Sequence, residues 1–205
     1  MRAIFRILFR IRLEGEPPLT GPYLLVANHQ GWADAFLVLA LWPPRQRVVF
    51  LADHAATMTQ WWKRMLLRSL GVIVTIERRA RSDRSAIEGS LDLLRSGAIL
   101  GIFPEGRVSH AESQLASFRR GVGYLAMKAG VPVVPVWLRG TAELYLGREL
   151  VAKIGTARVP PTGDAQKDET EAFAAQLHRD LAAMSEPRID HAVGPKHLRW
   201  LTNLF

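Results

Sequence analysis

The sequence predicts an α/β fold: a single domain over residues 1–205 with a mixed, largely parallel sheet flanked by helices. Three observations carry this. Short runs that are almost wholly apolar, YLLVA at 23–27, RVVFLA at 47–52 and AILGIF at 98–103, have the composition of strands buried on both faces. Each is followed by a stretch with helical periodicity, and strands alternating with helices build parallel sheets. A chain of 205 residues, 48% of them hydrophobic, has the length and apolar content for one packed core.

The elements follow in order. In MRAIFRILFRIRLEG, Arg2, Arg6 and Arg10 recur every fourth residue, so a helix puts them on one stripe. Ile4, Ile7, Leu8 and Ile11 then lie on the other side, with Phe5 at the boundary. From Phe9 apolar and charged residues alternate, which predicts that the helix leads into an edge strand. Residues 1–12 read equally well as a basic amphipathic helix on a membrane surface and as a helix packed on its own core. Strand 23–27 precedes a helix from Trp32 to Trp42, stopped by Pro43-Pro44. Strand 47–52 precedes a helix over Thr57–Leu70, and the β-branched GVIVTIE at 71–77 is a further strand. Ser82–Ser96 is helical, with Ile87, Leu91 and Leu94 on one face and Gly97 as its stop. Strand 98–103 precedes a helix over Phe118–Ala129. The prolines of VPVVPVWL at 131–138 predict a strand entry or irregular edge. A strand over Leu150–Val159, a helix over Lys167–Ser185 and a C-terminal tail over 186–205 complete the chain.

Composition narrows the function. There is no cysteine, hence no disulfide framework, thiolate nucleophile or cysteine zinc site. The net charge is +8, from 22 Arg and 5 Lys against 19 acids. Residues 1–100 hold 14 bases and 8 acids, and residues 101–205 hold 13 and 11, so the excess lies in the first half. Arginine suits bidentate contact with phosphate oxygens, so this surface points to nucleic acid, an anionic membrane or a phosphorylated small molecule. No nucleic-acid recognition motif is present, and base-stacking aromatics are not interleaved with the basic clusters, so no nucleic-acid partner is expected. A spanning helix needs about 20 mostly apolar residues. Ala35–Trp42 and Val131–Leu138 are far shorter. The N-terminal arginines also break any secretory apolar core.

Two polar junctions stand at the carboxyl ends of predicted strands, where α/β sites form. The first, ANHQGWAD, places His29 five residues before Asp34 with Gly31 between. A turn at Gln30-Gly31 can fold the imidazole back onto the carboxylate, and such a pair makes a general base; on spacing alone the commoner reading is an Asp34 that caps the helix beside an unrelated His29. No G-x-S-x-G elbow supplies a nucleophilic serine, so the base acts on a hydroxyl brought by a substrate. The second junction, IFPEGRVS, combines a rigidifying Pro104 with Glu105, Gly106 and Arg107. Glu77-Arg78-Arg79 with Arg81 closes the 71–77 strand, and Arg119-Arg120 precedes Gly121. Arginines at several strand ends point to a pocket for an anionic group.

In order and spacing these motifs resemble the glycerolipid acyltransferase family typified by lysophosphatidate (1-acylglycerol-3-phosphate) acyltransferases. Asn28, His29 and Asp34 match its N-H-x-x-x-x-D block. Gly71 through Glu77-Arg78 resembles its second block. Phe103, Pro104, Glu105, Gly106 and Ser109 match part of its F-P-E-G-T-R-S block, and Val131–Val136 is similar to its V-P-I-V-P-V block. Phe118–Ala129 fits the family's F-[K/R]-x-G helix. The chain departs from the pattern with Arg107-Val108 in place of Thr-Arg, with Gly31 where Ser is common, and with Asp53-His54 where a Lys-Glu pattern is frequent.

The resemblance implies a glycerol-3-phosphate acyltransferase-like fold and acyl transfer from acyl-CoA or acyl carrier protein to the hydroxyl of a lysophospholipid or glycerol phosphate. It implies His29 as general base and Asp34 as its orienting carboxylate. Arg78, Glu105, Gly106 and Arg107 would hold the acceptor. It also implies no metal, no cofactor beyond the acyl donor, and peripheral attachment at the cytoplasmic face of the cell membrane. The alternative is a membrane-surface lipid-binding or accessory protein on the same fold with weakened catalysis.

Overall fold

A computed structural model describes residues 2–18, 20–53, 73–76, 82–109, 111–112, 114–187 and 194–204. The predicted helix over Thr57–Leu70, with Trp61-Trp62, and the Glu77-Arg78-Arg79 cluster with Arg81 lie outside the described residues.

The strands are β1 (Arg10–Glu14), β2 (Leu24–Ala27), β3 (Val48–Asp53), β4 (Ile73–Ile76), β5 (Ile99–Ile102), β6 (Val133–Arg139) and β7 (Glu149–Ile154). They form one sheet in the order β1-β7-β6-β2-β5-β3-β4. All neighbouring pairs are parallel except β6 with β7. The helices are α1 (Arg2–Leu8), α2 (Ala33–Leu41), α3 (Ser82–Arg95), α4 (Gly121–Ala129) and α5 (Lys167–Ala183), with a 3₁₀ turn at Arg199–Asn203.

Alternation along the strands sends side chains into two cores, one on each face. Leu25, Ala27, Phe50, Val134 and Leu138 pack with residues of α1 and α2. Leu24, Val26, Leu100, Val133 and Trp137 pack with residues of α3, α4 and α5. Leu24–Ala27 are all completely buried, which is why β2 reads as an uninterrupted apolar run.

The proline-rich strand corrects an expectation. β6 is central, between β7 and β2, not an irregular edge. The sheet tolerates Pro135 because its missing donor faces an interruption in the pairing on that side. The last β7 pair is Val136 with Ile154, the Pro135 carbonyl accepts from the Gly155 N–H at 2.8 Å, and antiparallel pairing resumes between Val133 and Arg158.

Both chain ends pack around α2. Helix α1 runs into the edge strand β1, as the switch in periodicity predicted. Phe5 is the buried residue of α1, with its ring 6.4 Å from Phe36 of α2 and 5.5 Å from Phe9. Ile4 and Ile7 remain 58% and 76% exposed beside Arg6. The apolar face is therefore split, one part docked and one part facing outward. At the other end, the buried Leu201 accepts a hydrogen bond through its carbonyl from the Trp32 indole N–H at 2.8 Å.

Candidate active site

β2 lies between β6 and β5, parallel to both. The carboxyl ends of three central strands therefore meet. The two polar junctions follow the adjacent strands β2 and β5, which is why segments 76 residues apart in sequence touch.

The chain leaving β2 is pinned by Asn28. This completely buried amide donates to the Leu138 carbonyl at 2.9 Å and accepts from the Leu138 N–H at 2.6 Å, imitating one more strand residue. Residues 29–32 then turn into α2. Gly31 is needed because a Cβ there would sit 2.6 Å from the Thr141 carbonyl oxygen. Its close approach explains the absence of serine better than helix capping does, since the helix cap is Trp32. The buried Thr141 hydroxyl donates to Gln30 Oε1 at 3.2 Å.

Asp34, completely buried in the first turn of α2, organises this turn. Its Oδ2 accepts from the Gln30 N–H at 2.6 Å and the Gly31 N–H at 2.9 Å, and lies 2.8 Å from His29 Nδ1. An acceptor already holding two main-chain donors needs a third donor from the ring. The network therefore places the proton on Nδ1 and leaves the lone pair on Nε2. Among the described residues Oδ1 of Asp34 is buried without a hydrogen-bond partner, so the carboxylate's polar interactions are concentrated on the oxygen that faces His29.

The imidazole is fixed from a second direction. It stacks on Phe103 with ring centroids 4.1 Å apart and planes 10° apart, and Phe103 lies 5.3 Å from Phe50. This stack requires Gly101 in the middle of β5, because a Cβ there would come within 2.4 Å of the Phe50 ring. The His29 side chain keeps 21% of its surface, enough for a reactant to reach the ring.

The second junction holds the main chain of the first. Glu105 is 4% exposed. Its Oε1 accepts from the His29 N–H at 2.8 Å and its Oε2 from the Ala116 N–H at 2.8 Å. The Ser109 N–H donates to the His29 carbonyl at 2.8 Å. The sequence reading gave Glu105 a share in holding the acceptor; the structure commits both of its oxygens to the protein. Gly106 is exposed with φ +67°, and Arg107 is exposed with no polar partner among the described residues. Arg78 lies outside those residues. The structure thus brings His29, Asp34, Glu105, Gly106 and Arg107 to adjoining turns.

Sequence reasoning missed Thr141, Ala116 and Leu201, which brace these turns largely through main-chain groups that leave no motif. A cleft of about 910 Å³, lined in part by Glu112, Glu143, Lys196, Arg199 and Trp200, contains none of the expected site residues. Among the described residues no group of three or more His, Asp or Glu is placed to hold a metal ion.

Comparison with known proteins identifies the family. The family model described as Acyltransferase matches residues 10–139, which include both junctions. The chloroplastic 1-acyl-sn-glycerol-3-phosphate acyltransferase BAT2 of Brassica napus is 30% identical over 148 residues, covering 72% of this chain and 42% of the relative. A 1-acyl-sn-glycerol-3-phosphate acyltransferase of Chlamydomonas reinhardtii is 34% identical over 161 residues, covering 75% and 47%. The alpha form from Homo sapiens is 26% identical over 211 residues, covering 97% and 71%. The chain thus spans less than half the length of the plant and algal relatives. The crystal structure of the 1-acyl-sn-glycerophosphate acyltransferase PlsC from Thermotoga maritima superposes with a TM-score of 0.61 at 22% identity, covering 89% of this chain and 75% of that one, a likeness of fold. On the match over residues 10–139, this chain belongs to the acyltransferase family.

Proposed function

We propose that this protein transfers a fatty acyl group from a thioester, acyl-CoA or acyl carrier protein, to the hydroxyl of a lysophospholipid or glycerol phosphate in phospholipid synthesis or remodelling. The observation that carries this is the 2.8 Å contact between His29 Nδ1 and the buried Asp34 carboxylate. With Nδ1 as donor, Nε2 is free to take the acceptor's hydroxyl proton. The oxygen then attacks the thioester carbonyl and forms the new C–O bond. Asp34 offsets the positive charge that His29 gains. Collapse of the tetrahedral intermediate breaks the C–S bond, and the departing sulfur takes the proton back from His29. The reaction balances without a covalent enzyme intermediate, and no cofactor beyond the donor is part of the proposal. The names of the relatives support lysophosphatidate as acceptor.

The proposal places the protein on the cytoplasmic face of the membrane as a peripheral protein. Among the described residues no helix is long and apolar enough to cross a bilayer. Helix α1 offers an alternative, with Ile4 and Ile7 exposed beside Arg6, an amphipathic surface for an anionic lipid layer.

The decisive experiment replaces His29 with Ala and follows a radiolabelled acyl chain into lysophosphatidate. Turnover should fall by about 10²- to 10⁴-fold, the usual contribution of a general base, while the thermal unfolding curve is retained. Near-normal transfer by the variant rejects the assignment. A wild-type protein that binds lysolipid but turns over no acceptor with either donor favours the lipid-binding alternative.

A further inference from the structure

We infer that Arg119, braced across Gly106, is the cation that binds the acceptor's phosphate, with Arg107 beside it. The inference rests on the proposed acyl transfer and names the group that would select its acceptor.

Arg119 lies twelve positions after Arg107 in sequence, yet both its main chain and its side chain are attached to the Pro104–Arg107 turn. Its N–H donates to the Pro104 carbonyl at 2.8 Å, and its Nη2 reaches the Gly106 carbonyl at 3.4 Å. The guanidinium stem lies against the bare face of Gly106. A Cβ at Gly106 would come within 2.2 Å of Arg119 Nε and 2.5 Å of Cζ. Glycine at 106 therefore serves two purposes: it adopts a φ of +67°, and it leaves room for this arginine. Arg107 has no such support.

The charge balance points to an anion. Among the described residues Arg119 has no carboxylate partner, whereas its neighbour Arg120 pairs with Glu171 at 3.2 Å. The turn's one acid, Glu105, is buried and bound by two main-chain N–H groups. Two exposed guanidinium groups thus flank one glycine with no carboxylate between them. A phosphate answers that arrangement, since guanidinium donors match its oxygens. Position fits as well. Glu105, adjoining Gly106, holds the main chain of His29, and in a 1-acylglycerol 3-phosphate the reacting hydroxyl and the phosphate sit on adjacent carbons. A phosphate on this turn keeps the hydroxyl in the neighbourhood of the imidazole.

The test measures the acceptor KM for lysophosphatidate and for phosphate-free monoacylglycerol in R119Q, R119K, R107Q and R120Q. R119Q should raise the lysophosphatidate KM by about 10- to 100-fold, as expected for loss of charged hydrogen bonds, with kcat nearly unchanged. R119K should recover part of this, R107Q should have a smaller effect and R120Q none. The monoacylglycerol KM should not move in R119Q. An unchanged lysophosphatidate KM in R119Q, or an equal rise for both acceptors, overturns the inference. Calorimetric binding of lysophosphatidate to wild type and R119Q decides the matter even where no acyl transfer is seen. Weaker binding by R119Q supports the phosphate site, and equal binding removes it, independently of the proposed reaction.

Discussion

The turns after β2 and β5 stand side by side, each with one buried acid, and they use those acids differently. In the first, Asp34 gathers two main-chain N–H groups and the ring of His29 onto one oxygen, so the acid serves a side chain that can react. In the second, Glu105 divides its oxygens between the main chain of His29 and that of Ala116, so the acid serves the scaffold. Their surroundings differ too. The first turn is closed over by Thr141 and the Leu201 carbonyl, whereas the second leaves Gly106, Arg107 and Arg119 exposed. On the proposed reaction the contrast separates chemistry from recognition: the buried turn would hold the base, and the open turn presents the exposed arginines. It also gives the acid of the second motif a structural partner on each oxygen, His29 on one and Ala116 on the other.

The comparison can be broken at its strongest point by Asp34→Asn. The amide keeps the shape but removes the negative charge opposite His29. Turnover should fall by about 10³-fold or more, with thermal unfolding little changed. A kcat within tenfold of wild type would show that orientation alone, without charge, suffices.

Glu105→Gln sharpens the contrast between the acids. A neutral amide offers one acceptor where the carboxylate offers two, so one of the two main-chain N–H groups loses its partner. Stability should fall by about 1–3 kcal/mol, read from urea unfolding midpoints, together with a drop in kcat. A raised acceptor KM with unchanged stability would instead return Glu105 to the substrate.

The smallest expected effect on turnover belongs to Gly101→Ala, which acts on the first turn from below. The added methyl meets the Phe50 ring and presses on the Phe103–His29 stack. We expect about 1–3 kcal/mol of destabilisation from overpacking, with a reduction in kcat of only a few fold. Full stability in this variant would show that the aromatic stack is free to shift and does not fix the imidazole.

Much of this was legible in the residues. The apolar runs at 23–27, 47–52 and 98–103 contain or nearly coincide with β2, β3 and β5, and the spacing from His29 to Asp34 pointed to the pair that the turn brings to 2.8 Å. Other features were hidden for physical reasons. The prolines of 131–138 signalled a local inability to donate, but whether a neighbouring strand needs that donor depends on where β7 ends. The arginine stripe of α1 was plain, yet which apolar residue docks was decided by the reach of Phe5 to Phe36.

The sequence by itself determined the alternation of strands and helices and the excess of arginine, and it offered His29 and Asp34 as a pair, because burial periodicity and the His29–Asp34 turn depend on residues close together in the chain. Only the tertiary structure decided that Glu105 supports His29, that β6 is central and that Arg119 lies across Gly106. Those outcomes depend on which strand ends become neighbours, and on main-chain donors and acceptors that every residue carries and no residue type reveals.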